Sequence, residues 1–310
     1  MIFVLRAIMV SLAFFALVYS FLSFLLVLTW RGLRSCNFQK RIGAHSLFTL
    51  RIIPFAISAA ISLFLTLPSF LLLEGHSLDE DLGTFVLSAC ALVILGAGIY
   101  RVLLAEVRTR RVVSACSKDA IGVERNAVTP TIISARSITP LMLVGVRVPR
   151  ILISASAYKL LSDAELRAAV RHEIVHSRSR DNLKKAILNC LPFPGMASLE
   201  EAWQQASELA ADDGAVSSRA EALDLAAALI KLTRHFPFQP VPDLATGLVN
   251  AVGSVTNRVE RLVAWKGSSG AGPYRWRYVI AAAMIAAVGL AVKLGPALIL
   301  AHSLTERLVP

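Results

Sequence analysis

Two hydropathy regimes alternate along this 310-residue chain. Long apolar stretches run from Ala7 to Trp30, from Ile52 to Leu73, from Gly83 to Tyr100 and on toward Leu104, and from Tyr278 to Ala301. Each matches the roughly 20 apolar residues that an α-helix needs to cross the hydrocarbon of a bilayer. Trp30 and Arg31 close the first stretch, and Tyr274, Arg275, Trp276 and Arg277 precede the fourth as an interfacial girdle. The first is longer than a signal-peptide core and lacks a cleavage site followed by polar sequence, so it reads as an anchor. Pro54 and Pro68 sit near the ends of the second. Lys293 puts one charge inside the fourth, where it must snorkel, line an interhelical gap or report a tilted span.

Between the third and fourth stretches the pattern becomes amphipathic. Ser162-Asp163-Ala164-Glu165 has the form of a capping box and predicts a helix start. Leu166, Val170 and Ile174 then recur every fourth residue, giving that helix an apolar stripe. A second helix is expected over Trp203 to Asp212, with small Ala206, Ala210 and Ala211 favouring close helix packing. Leu141 to Val146 and Arg150 to Ser154 read as two short strands around a Val-Pro turn. Residues 106–139 form a loosely defined charged connector, and Ala186 to Met196, broken by Pro192 and Pro194, either dips into the interface or packs on the spans. The expected domains are a membrane part over 1–105 (spans 7–30, 52–73 and 83–104), a soluble part over 106–265, a flexible linker over 266–277, a fourth span over 278–301 and a short tail over 302–310.

Composition agrees: 55% of residues are hydrophobic and 17% charged, unlike most soluble domains. Charge sets an orientation. The loop between the first two spans is assigned Arg31, Arg34, Lys40, Arg41 and Arg51 with no acid, which marks it as cytoplasmic. Glu74, Asp79, Glu80 and Asp81 fit an external hairpin, while Arg6 at the outer end is outvoted. Both termini are then external and the soluble domain cytoplasmic, in a multi-pass protein of a bacterial inner membrane. The net charge of +11 comes largely from juxtamembrane residues such as Arg101, Arg108, Arg110 and Arg111, which contact with anionic lipid accounts for. With no aromatic-interleaved basic module, direct nucleic-acid binding is not expected. Cys36, Cys90, Cys116 and Cys190 have no paired spacing.

The chemistry lies in His172-Glu173-Ile174-Val175-His176. Residues four apart on a helix lie one turn above each other, so both imidazoles can address one tetrahedral zinc. Zinc lowers the pKa of water from 15.7 to about 7, and a carboxylate one position along can take the proton. That is the role expected of Glu173. A third protein donor is needed, and Glu208 is the leading candidate, with Asp212 on the same helix face to hold the far nitrogen of a ligating histidine. Glu200, Glu201 and Asp213 are the competing carboxylates. For stabilising an oxyanion, Arg178, Arg180 and His235 are equal candidates. Ile151, Leu152, Ile153 and Ser154 are either an edge strand that pairs with an extended substrate or an ordinary buried strand.

The run from Pro140 to Ser154, then Asp163-Ala164-Glu165-Leu166-Arg167, the His172–His176 motif, Arg178-Ser179-Arg180-Asp181-Asn182-Leu183 and Glu208-Leu209-Ala210-Ala211-Asp212 resemble the BlaR/MecR-type membrane metallopeptidases over residues 130–220. The resemblance implies a gluzincin core with one Zn2+ per chain, Glu208 as third ligand and Asp212 behind it. The expected fold is an integral membrane protein with four transmembrane helices and an α+β, zincin-like cytosolic metallopeptidase domain. The expected function is endoproteolysis of a cytosolic or membrane-proximal protein, such as a repressor, with homo-oligomers allowed. HtpX-type quality-control proteases share the core logic, and a non-catalytic zinc-bound transducer is the rival from another class. Intramembrane proteolysis is disfavoured by Arg167, Arg171, Arg178 and Arg180 around the motif. No large domain is expected after the fourth span, so sensing of an antibiotic does not carry over.

Overall fold

A computed structural model describes residues 2–34, 42–73, 82–118, 120–124, 131–134, 139–236, 244–248, 252–267, 299–300 and 303–304. Three helices in it are long and apolar enough to cross a membrane. Helix α1 spans Ile2–Arg34, and α2 (Ala44–Ile61) continues through a π-helical turn at Ser62–Thr66 into α3 (Leu67–Leu73). Helix α4, Leu82–Lys118, runs unbroken through the 105/106 boundary and carries the charged connector as regular helix to residue 118. Continuity costs nothing there, because Arg and Glu are good helix formers and Glu106 pairs with Arg110 one turn on at 2.9 Å. Nearly all of the fourth expected span lies outside the described residues.

The remaining chain builds a five-stranded mixed sheet with helices. Strands β1 (Ala120–Glu124), β2 (Thr131–Ser134), β3 (Leu141–Val144), β4 (Arg150–Ser154) and β5 (Ala245–Gly247) lie in the order β1-β2-β4-β3-β5. Strand β4 pairs in parallel with β2 and antiparallel with β3. Between β4 and β5 come α5 (Ala155–Leu160), α6 (Asp163–Arg178), α7 (Asp181–Cys190), α8 (Ala197–Ala215) and α9 (Arg219–His235), and α10 (Val252–Val263) follows β5. Alternation along β3 and β4 separates two cores. Leu141, Leu143, Ile151 and Ile153 pack with Ala168, Ala169, Leu225 and Leu229 of α6 and α9, while Met142, Val144 and Leu152 face Cys116 of α4.

This order corrects one expectation: Ile151, Leu152, Ile153 and Ser154 do not form a substrate-pairing edge. Both hydrogen-bonding sides of β4 are taken, its side chains from Ile151 on are buried, and Ser154 caps α5 by accepting from the Ala157 N–H at 3.1 Å. Among the described residues the sheet ends on β1 and β5.

The α/β part packs directly on the candidate membrane helices. Val27, Trp30 and Leu47 from α1 and α2 share a buried cluster with Met196, Leu199 and Trp203, and Phe48 packs 6.2 Å from the Trp203 ring. At Gly98 an added Cβ would stand 2.0 Å from the Cys190 carbonyl oxygen, so only glycine lets the end of α7 rest on α4. The 186–196 segment therefore packs on the spans, with Phe193 edge-on to Tyr19 at 5.7 Å. Arg51 is no loop residue: it is 1% exposed within α2, where Nε donates to Glu200 at 2.9 Å and Nη2 donates to the Leu191 carbonyl. Its charge is thus spent on a fold contact and leaves the orientation count. Replacing Arg51 with Met should cost about 2 kcal/mol, because Glu200 keeps some solvent while the Leu191 carbonyl loses its donor. Thermal unfolding in detergent, compared with an exposed control such as Arg110→Gln, reads the loss.

Candidate metal centre

Helix α6 begins as its sequence dictates. The Ser162 hydroxyl accepts from the Glu165 N–H at 3.3 Å and the Glu165 carboxylate accepts from the Ser162 N–H at 2.8 Å, closing the capping box. Glu165 also takes a hydrogen bond from Lys231 of α9 at 2.8 Å, tying the helix start to the core. Burial opposes ionisation of Glu165, but Lys231 and Ser162 outweigh it and hold the carboxyl below its ordinary value. A depressed folded pKa gives stability that is present above the unfolded value of about 4.3 and lost as pH falls through the folded one. Glu165→Gln should therefore flatten the acid limb of the stability curve below about pH 4.3, as denaturant titrations along a pH series would record.

Three turns on, His172, Glu173 and His176 have no exposed surface. Helix α8 crosses α6 closely enough that a Cβ on Gly214 would lie 3.1 Å from Val175. Glu208 and Asp212, four apart on α8, are consequently both presented to the motif. The His172 and His176 Nε2 atoms approach to 3.1 Å, and Glu208 Oε2 and Oε1 lie 3.4 and 3.7 Å from them respectively. One ligand atom from each of His172, His176 and Glu208 falls within 4.8 Å of the others. Asp212 Oδ1 stands 3.0 Å from His172 Nδ1, and Asp181 Oδ2 stands 2.7 Å from His176 Nδ1.

This donor set fits a metal. With His176 Nδ1 hydrogen-bonded to Asp181 and His172 Nδ1 3.0 Å from Asp212, the Nε2 atoms of the neutral imidazoles are left to converge with Glu208 on one point that a cation would fill. Two imidazoles and a carboxylate match the three protein ligands of a catalytic zinc site. In the metal-free chain the titration of these groups reports a site rich in negative charge, where a proton stands in for a cation. Burial disfavours a charged His176, yet Glu208, Asp181 and Glu173 hold it up at about 10. His172 is raised too, with Asp212 and Glu208 overcoming burial. Burial works against ionised Glu208, but Arg258 and His176 keep it well below the usual carboxylate range. Glu173 behaves oppositely: burial, only partly offset by His172 and His176, pushes its carboxyl up to about 7. Its Oε1 finds no hydrogen-bond partner among the described residues, while Oε2 accepts from the Thr246 hydroxyl of β5 at 3.4 Å.

Sequence reading missed three groups that complete the site. Asp181 reaches His176 because Arg180 adopts a left-handed φ of 54°, turning the chain straight from α6 into α7. Asn182 donates to the carbonyls of Leu143 and Gly145 at 3.2 and 3.1 Å, fixing α7 to the β3–β4 hairpin. Arg258 of α10, 2% exposed, grips Asp212 with Nε and Nη2 at 2.8 and 2.7 Å and reaches Glu208 and the Leu248 carbonyl with Nη1 at 2.9 and 2.8 Å. The available signal was a charge within an apolar stripe, since Val255 and Leu262 beside it on α10 are buried. Arg178 and Arg180 are exposed, and His235 turns to the Lys231 carbonyl. Of the competing carboxylates, Glu200 is held by Arg51, Asp213 pairs with Arg261, and Glu201 is exposed.

Residues 82–262, more than half of the chain, match the family model described as BlaR1 peptidase M56. The match takes in α4 at one end and Arg258 at the other. No curated protein matches the chain significantly.

Proposed function

The chain belongs to the BlaR1 peptidase M56 family of membrane-associated metallopeptidases, and from that premise we propose that it is a zinc-dependent endopeptidase acting on a cytosolic or membrane-proximal protein. The observation that carries the reading is the convergence of His172, His176 and Glu208 with Glu173 buried beside them. His172, His176 and Glu208 hold the ion, and Asp212 and Asp181 fix the two imidazole orientations from behind. A zinc ion bound there supplies Lewis acidity, lowering the pKa of water and polarising a scissile carbonyl. Glu173 takes the proton from the attacking water at one carboxylate oxygen and returns it to the leaving amine. In the metal-free chain burial raises its carboxyl to about 7, and a bound cation would draw it back toward the ionised form that accepts the proton.

Location follows from the spans and the basic loop between the first two, which together favour a catalytic domain on the cytosolic face of a bacterial membrane. The test is a comparison of protein amino termini in cells expressing wild-type protein and Glu173→Gln. A few new termini confined to wild type would identify a regulatory substrate, and many among misfolded membrane proteins would indicate quality control. Identical sets would contradict proteolysis and favour a transducer with a structural metal.

A further inference from the structure

Where α4 leaves the membrane, it forms with the β3–β4 hairpin a cleft of about 610 Å³ that the metal chemistry does not use. Arg110, Lys118, Arg147 and Arg150 line it against a single carboxylate, Glu106. Arg110 is engaged by that carboxylate, whereas Lys118, Arg147 and Arg150 meet no carboxylate among the described residues. Exposed cations near a membrane are ordinary, and by themselves they make no site. The second observation is Thr109. It lines the same cleft, is 2% exposed, and its buried hydroxyl has no hydrogen-bond partner. A buried hydroxyl left unpaired costs about 1–3 kcal/mol, and this one belongs to a residue that shares its cleft with Arg147 and Arg150 of the facing hairpin.

We infer that this cleft binds a phosphoryl anion, with Thr109 donating to one phosphate oxygen and Arg147 and Arg150 neutralising the others. Planar guanidinium groups suit that task, since each can present two parallel donors to a phosphate. The turn that carries them is fixed: Gly145 has a φ of +94°, and an added Cβ would lie 2.8 Å from the Val148 carbonyl oxygen. Asn182 holds that turn by its Gly145 carbonyl.

Depth favours a lipid headgroup over a soluble phosphate. At 1.5 Å per residue, Leu82 to Ala105 rises about 36 Å, slightly more than the hydrocarbon thickness of about 30 Å. Glu106 to Arg110 then lies in the headgroup layer. Leu103 and Val107, four apart and 59% and 45% exposed, offer an acyl chain a path along α4 toward the cleft, and Val148 at the hairpin tip is 63% exposed. Both sources share the phosphoryl chemistry, so the experiment must separate them.

Native mass spectrometry of the full chain, released from phosphatidylcholine nanodiscs containing a minor fraction of phosphatidylglycerol, reads the lipid. Wild type should retain one phosphatidylglycerol in preference to phosphatidylcholine. Arg147→Gln/Arg150→Gln should weaken that retention by about thirty-fold, the factor supplied by two cations at the membrane surface. Thr109→Val, which keeps the shape and removes the donor, should weaken it by about tenfold and serves if the double variant fails to fold. Calorimetry with inorganic phosphate in phosphatidylcholine-only nanodiscs forms the other arm. Millimolar phosphate binding that the same variants abolish would keep the anion site and assign it a soluble source. Equal retention of both lipids, or unchanged retention in both variants, together with no phosphate binding, would overturn the proposal.

Discussion

Glutamine at position 173 should leave the protein folded and metal-loaded while lowering peptide-bond cleavage by about 10²–10⁴-fold, the range attributable to a positioned general base. The ligands His172, His176 and Glu208 are untouched, and the substitution keeps the size of a side chain that has no exposed surface. Stability should not fall. In the metal-free protein, burial raises the Glu173 carboxyl to about 7, so above the unfolded value of about 4.3 its ionisation works against folding, and glutamine removes that opposition. A purified variant that binds metal, melts no lower than wild type and fails to cleave an unfolded protein fits this account. Undiminished cleavage would sink the base assignment, whereas loss of metal would show that Glu173 shapes the ligand set.

The second large effect belongs to Arg258. Methionine there strands Asp212 and Glu208 as buried carboxylates facing each other across the histidines, and should cost about 3–5 kcal/mol, the usual penalty for removing one member of a buried ion pair. Lysine should not restore the loss, because one ammonium cannot reproduce the two-pronged grip on Asp212 and the contact with the Leu248 carbonyl. Adding Asp212→Asn to Arg258→Met should recover part of the stability by eliminating one stranded charge. Additive losses in that double-mutant cycle would show that the pair is not coupled.

How much of this was legible depended on sequence separation. The capping box, the one-turn histidine spacing and the four-residue spacing of Glu208 and Asp212 are local, and α6 and α8 carry them as read. The two interior strands were also visible as short apolar runs. Their rank in the sheet was not, because it is set by β2, which pairs in parallel with β4 on the side away from β3, and neither run encodes its neighbour. Arg258 reaches Asp212 from 46 residues away, and Arg51 reaches Glu200 across 149. A charge among apolar positions signals that an arginine is buried, but its partner is invisible until the fold places it. Trp203 likewise read as one aromatic residue on a helix, yet it wedges α8 against α1 and α2 five residues before Glu208.

X-ray absorption at the zinc edge of the purified full chain tests the central claim most directly. Two imidazole nitrogens and carboxylate oxygen at about 2.0–2.2 Å, with no sulfur scattering at about 2.3 Å, are the predicted result. Thiolate ligation, or a protein that retains no zinc while still cleaving, would contradict a metal held by His172, His176 and Glu208.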